Sequence, residues 1–243
     1  MKARFPLALL VLCSLPFATA AAADPTARLE GGGGTQITAL GSRQPCEGDL
    51  LFHGDGGVGG YEDAYTWQYG GVQAPYYGAF ADSFGADVEI CALFFDLTRT
   101  AQYAHPDDLD AYIWEEAGGV PGNVLMVVNA YIDEVAVWPD FSRHFVELPS
   151  NVALPVWVGY WGDWPGEQAS WFICADTDAG GPNPGTPMTN VAPGTGYPTG
   201  WQSVDLIWPL DRRTRALGLG AVIYGGPVPA PASTWAAIKS LFR

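Results

Sequence analysis

The sequence predicts an all-β fold, an antiparallel β-sandwich of jelly-roll type, and three observations carry that expectation. Apolar and polar residues alternate over short runs, the pattern of a strand with one wet face. Glycine, proline, asparagine and aspartate punctuate the gaps between those runs. No sustained helical period appears before the C-terminus.

Residues 1–23 read as a signal peptide. Lys2 and Arg4 precede an apolar run from Phe5 to Phe17, and Ala18-Thr19-Ala20 with further alanines supplies small residues for cleavage. The run is too short to serve as a permanent span, so no transmembrane segment is expected after cleavage. Loss of Lys2 and Arg4 with the leader moves the net charge from −15 to −17. Such a surface repels nucleic acid and anionic lipid, and it suits cations and an extracellular setting. The chain is expected to be secreted or held at the cell surface.

Residues 24–45, with Gly31 to Gly34, show no sustained period and read as a flexible lead-in. A single sandwich domain follows over 46–226. Its strand-like runs are Leu50 to His53, Ala64 to Tyr69, Tyr76 to Phe84, Val88 to Leu97, Leu109 to Trp114 and Val124 to Ile132. Arg143 to Leu148, Val156 to Trp161, Trp171 to Ala175, Trp201 to Leu206 and Ala216 to Tyr224 complete the series. Between Trp114 and Val124, Gly118 and Gly119 break the first strand of a hairpin, and Pro121-Gly122 suits the centre of a type II turn. The stretch Asp176 to Gly200 holds five prolines and six glycines and reads as a surface loop. Residues 227–243 are a proline-rich linker, PVPAPAS, and a short amphipathic helical tail, TWAAIKSLFR.

Of the cysteines outside the leader, Cys46 precedes the first strand while Cys91 and Cys174 sit inside apolar strands. The favoured arrangement is a Cys46–Cys91 disulfide with Cys174 a buried free thiol.

Several phrases resemble uncharacterised exported bacterial jelly-roll or β-sandwich accessory modules. They are Tyr65-Thr66-Trp67-Gln68-Tyr69-Gly70-Gly71, the AYIWEEAGGVPGNVL hairpin from Ala111, VGYWGDWPG from Val158, and APGTGYPTGWQ from Ala192. The ending TWAAIKSLFR is similar to a C-terminal tail recurrent on exported proteins of Gram-negative lineages, of the pattern WGxIKxLxR. The resemblance implies a jelly-roll module and, for the tail, a sorting machinery or surface attachment; it implies no catalytic residues.

Three chemistries are open to the side chains. Glycoside hydrolysis needs two facing carboxylates, yet Glu115 and Glu116 are adjacent on a strand and point to opposite faces. His53, His105 and His144 are isolated, and neither a GxSxG elbow nor an HExxH helix occurs. Calcium is the better candidate: Asp176 and Asp178 form a D-x-D before Gly180, and Asp55 and Asp63 flank the glycine-rich GDGGVGGYED. Aromatic stacking on sugars is the third, with Trp164 in the loop GDWPGEQ and with Trp161 and Tyr160 beside it as ligand-binding residues. The expectation is an exported, non-enzymatic, carbohydrate-binding module whose partner is a polysaccharide or cell-surface component. The alternatives are a structural subunit of a surface layer or appendage, and a glycan-active hydrolase.

Overall fold

The computed structural model describes residues 26–37, 44–67, 77–85, 88–100, 108–132, 134–161, 171–177, 184–209 and 213–224. In chain order the first strands are β1 (Thr26–Glu30), β2 (Gln36–Ile37), β3 (Leu50–Phe52), β4 (Asp63–Trp67) and β5 (Phe80–Phe84). The longest follow: β6 (Glu89–Thr98), β7 (Asp108–Glu116), β8 (Pro121–Tyr131) and β9 (Phe141–Ala153). Then come β10 (Val156–Trp161), β11 (Phe172–Asp176), β12 (Met188–Val191) and β13 (Gly200–Ser203). A one-turn helix α1 (Val204–Ile207), β14 (Ala216–Leu217) and β15 (Leu219–Ile223) end the described chain.

These strands form two sheets, and the fold is an all-β sandwich. The first sheet runs β1-β4-β11-β6-β15-β3, with β9 on β6, β2 on β9 and β14 on β11. The second runs β13-β12-β5-β10-β7-β8. Every pairing between named strands is antiparallel except the short β2–β9 contact. Alternation explains the core: Ala111 and Ile113 of β7, Val156, Val158 and Tyr160 of β10, and Leu93, Phe95 and Leu97 of β6 point between the sheets. Trp208, just after α1, plugs one end of that core by stacking on Tyr65 at 4.9 Å and on Phe80 at 5.8 Å. Buried rings of this size are the largest apolar contributions to stability, each burying roughly 150–250 Å².

The expected disulfide is present: Cys46 and Cys91 are joined, with Cα atoms 6.5 Å apart. Cys174 is free and buried. The link ties the segment ahead of β3 to β6 in the middle of the first sheet.

Four local expectations are corrected. Within the lead-in, Thr26 to Glu30 is a strand paired with β4 from Thr26↔Trp67 to Glu30↔Asp63, and Arg28 is bonded to buried Asp63 at 2.9 Å. That strand is held by its neighbour and an ion pair, not by any apolar period of its own, which is why its sequence reads as irregular. The hairpin turns at Ala117 to Val120, one step ahead of Pro121-Gly122. Gly118 and Gly119 both have positive φ, of 71° and 90°, and the Ala117 N–H donates to the Val120 carbonyl. Two consecutive positive φ values match the primed turns whose twist suits a hairpin. The run from Trp201 is a strand only to Ser203; Val204 and Ile207 are both buried, and their spacing of three requires a helical turn. The proline- and glycine-rich stretch from Asp176 contains β12, whose Thr189, Asn190 and Val191 are buried.

The leader and the tail, including TWAAIKSLFR, lie outside the described residues. Among the described residues no helix is long and apolar enough to cross a membrane.

Candidate functional site

The second sheet carries aromatic residues on both faces, and its outer face is the unusual one. Tyr112 and Trp114 of β7 and Trp157 and Trp161 of β10 form a buried layer with Ala79 and Ala81, apart from the main core. Trp157 lies directly opposite Trp114 in the ladder, and Gly159 lies opposite Tyr112. Gly159 lets β10 approach β5 closely, since a Cβ there would stand 2.0 Å from the Phe80 carbonyl oxygen. Tyr112 and Trp114 are stacked at 5.1 Å, and Trp201 of β13 meets Trp114 edge-on at 5.3 Å. The layer's polar ends are held: the Trp157 indole N–H donates to the Glu116 carboxylate, and that of Trp161 to the Tyr77 carbonyl at 3.0 Å. Trp201, Val124 and Met188 are half-buried at its edge.

Of the three residues expected to bind a ligand, Trp161 lies in this layer but is buried, so its ring faces are packed against protein. Tyr160 is corrected outright. It points the other way into the main core, 5.5 Å from Phe95 and 5.9 Å from Phe80, because alternation turns it away from Trp161. Burial pushes its hydroxyl pKa up. Trp164 lies outside the described residues. The residue missed by sequence reasoning is Trp201; its distance in sequence from Trp114 hid the contact.

The acidic residues separate into different tasks. The loop after β3 folds back so that the Asp55 N–H donates to Asp176 Oδ2 at 3.0 Å, which brings two of the expected calcium ligands into one corner. Asp55 Oδ1 also accepts from the Gly57 N–H at 2.8 Å. Asp63, expected beside Asp55, is instead buried and paired with Arg28. Asp178 lies outside the described residues, among which no group of three or more His, Cys, Asp or Glu side chains is arranged to hold a metal.

That same glycine-rich loop covers a charged network on the outer face of the first sheet. Arg143 Nε and Nη2 donate to the two Asp96 carboxylate oxygens at 2.7 and 2.6 Å, and Nη2 also donates to the Gly56 carbonyl at 3.1 Å. The Tyr61 hydroxyl donates to Asp96 Oδ2 at 2.6 Å, and the guanidinium lies 4.2 Å from the Phe94 ring centre. Burial raises the Asp96 pKa, with Arg143 and Tyr61 pulling against it. Bidentate pairing plus stacking is arginine chemistry that lysine cannot copy.

A second carboxyl, Asp82 of β5, is buried opposite Val158 of the core. Its Oδ1 accepts from the backbone N–H groups of Ser83 at 2.9 Å and Thr186 at 2.6 Å, and His53 Nε2 stands 4.0 Å away. His53 stacks on Phe84 at 4.5 Å. Burial pushes Asp82 up to about 6, offset in part by His53 and the N–H donors.

The structure also pairs Ser142 Oγ with His144 Nε2 at 2.7 Å, a contact two residues apart along one strand face. The Oγ is fully buried and also accepts from the Ala136 N–H at 3.0 Å, so it lacks the open approach a nucleophile needs. Glu115 and Glu116 fasten the hairpin: Glu115 accepts from Asn123 Nδ2 at 2.8 Å and Glu116 from the Gly119 N–H.

No family model, curated protein or solved structure matches the chain.

Proposed function

We propose that the chain is an exported, non-enzymatic β-sandwich module that binds carbohydrate on the outer face of its second sheet. The observation that carries this reading is the aromatic layer itself. An outer sheet face is ordinarily polar, whereas here Tyr112, Trp114, Trp157 and Trp161 cover it, with Trp201 half-open at their edge. Polar groups border the layer on its own face: Asp110 is bonded to Asn129 at 2.9 Å, and the Glu116 carboxylate accepts from the Trp157 indole N–H. Those four rings are themselves buried, so the face offered to a sugar's C–H surface is that of half-open Trp201, which the layer backs and holds in place. The Cys46–Cys91 disulfide supports export, since such links persist in oxidising compartments. Calcium at the Asp55–Asp176 corner belongs to the same proposal as a structural ion, with carboxylate oxygens of a kind that suits it. The tail is proposed to serve sorting or surface attachment.

The test is binding of the purified protein to a panel of soluble and insoluble polysaccharides, with calcium or with chelator, beside Trp201→Ala and Trp164→Ala. Retention that falls in either variant supports the reading, and chelator sensitivity supports the ion. Absence of retention on every glycan sinks it and favours a structural subunit.

A further inference from the structure

The sheet that carries the aromatic layer has charge of one sign. Its strands β5, β7, β8, β10, β12 and β13 contain no lysine, arginine or histidine, while β5 and β7 contain Asp82, Asp108, Asp110, Glu115 and Glu116. Between Arg99 and Arg212 the only lysine or arginine in the sequence is Arg143. That side chain is committed to the first sheet, where it pairs with Asp96 and reaches the Gly56 carbonyl. Arg213, the first described basic residue after β13, is paired with Asp205 at 3.1 Å.

Two of those acids border the layer itself. Asp110 and Glu116 lie on the same face of β7 as Trp114, the ring against which Trp201 packs: Asp110 stands opposite Trp161 in the ladder, and Glu116 accepts from the Trp157 indole N–H. Glu116 is exposed and Asp110 half-buried, so both carboxylates reach solvent. An ionised carboxylate accepts at about four lone-pair sites, so the Asn129 amide at 2.9 Å leaves Asp110 able to accept more. Opposite Trp201 in the ladder is Asn190, a neutral amide. Sugar hydroxyls donate to oxygens of this kind. A uronate, sulfate or phosphate donates nothing and brings a second negative charge inside the Debye length, about 10 Å at 0.1 M salt.

We infer that the outer face of the second sheet takes neutral glycans and excludes acidic ones, with Asp110 and Glu116 as the specificity-determining groups; this rests on the carbohydrate reading given above. Discrimination of this kind comes from repulsion of the wrong partner as much as from contact with the right one. A chain of unsubstituted hexoses lays C–H faces on Trp201 and donates hydroxyl hydrogens to the two carboxylates. A polymer carrying anionic substituents meets the same oxygens with like charge. Carboxylates on the binding face act at short range, where salt screens least, so the same charge removed from the other sheet is not equivalent.

The experiment uses the full purified chain and matched pairs of soluble polymers: dextran with dextran sulfate, hydroxyethyl cellulose with carboxymethyl cellulose, and guar galactomannan with its carboxymethyl derivative. Affinity is measured at about 0.02 M and about 0.5 M salt. The expected result is binding to at least one neutral polymer with little salt dependence, and binding to its anionic twin at least about tenfold weaker at the lower salt, a gap that narrows at the higher. Asp110→Asn with Glu116→Gln keeps oxygens for Asn129 and Trp157 and is expected to close the gap to about threefold or less. Asp49→Asn with Glu147→Gln removes the same charge from exposed positions of the first sheet and its border, and is expected to leave the gap as it was. An anionic twin bound as tightly as its neutral partner at low salt overturns the anion exclusion and leaves the carbohydrate reading standing. So does a gap that the first-sheet pair closes as far as the β7 pair does, which assigns it to net charge. Absence of binding to every neutral polymer overturns both.

Discussion

Asp82→Asn is the substitution that most directly tests how charge is held inside this sandwich. The side chain is buried on the inner face of β5, and burial raises its pKa from 3.8 to about 6. A carboxyl whose folded pKa is raised binds its proton more tightly in the native state than in the unfolded one. It therefore contributes stability at pH values below 3.8, and that contribution is lost as pH rises through about 6. The full effect corresponds to about 3 kcal/mol, and roughly 2–3 kcal/mol of it falls between about pH 4 and pH 7.5. Asparagine keeps the shape and keeps an oxygen for the Ser83 and Thr186 N–H groups while removing the charge. The stability of Asp82→Asn relative to wild type is thus expected to grow by that amount as pH rises, read as urea midpoints at the two pH values. Repulsion among surface carboxylates changes in both proteins alike and cancels in the difference. A difference between the two proteins that stays constant with pH, within about 0.5 kcal/mol, would refute the reasoning.

Three further outcomes follow from the first sheet. Arg143→Met leaves the Asp96 carboxylate buried with Tyr61 as its one side-chain donor among the described residues, and a loss of about 3–5 kcal/mol is expected in chemical denaturation. Adding Asp96→Leu to it recovers most of that loss, because no buried charge then remains; failure to recover would point to packing on Phe94 as the larger effect. Reduction of Cys46–Cys91 releases a link across a sequence separation of 45 and is expected to cost about 4 kcal/mol on the chain-entropy account, seen as a lower urea midpoint with reductant. Cys174 should stay unmodified by a thiol reagent in the native protein, since it is fully buried.

What the sequence made legible is what local physics determines. Alternation from Leu109 to Trp114 and from Val156 to Trp161 identifies strands because each needs only its own residues to define a wet and a dry face. It also assigns Tyr160 and Trp161 to opposite faces, but it cannot say which face is covered, and both proved buried. β1 and β12 were hidden because their order comes from neighbours: Arg28 on Asp63 for the one, and Asn190 bonded through its backbone to Ala79 for the other. The corner of Asp55 and Asp176 and the edge contact of Trp201 on Trp114 join residues more than eighty positions apart, and no spacing rule reaches that far. The Ser142–His144 contact was within reach, since residues two apart on a strand share a face.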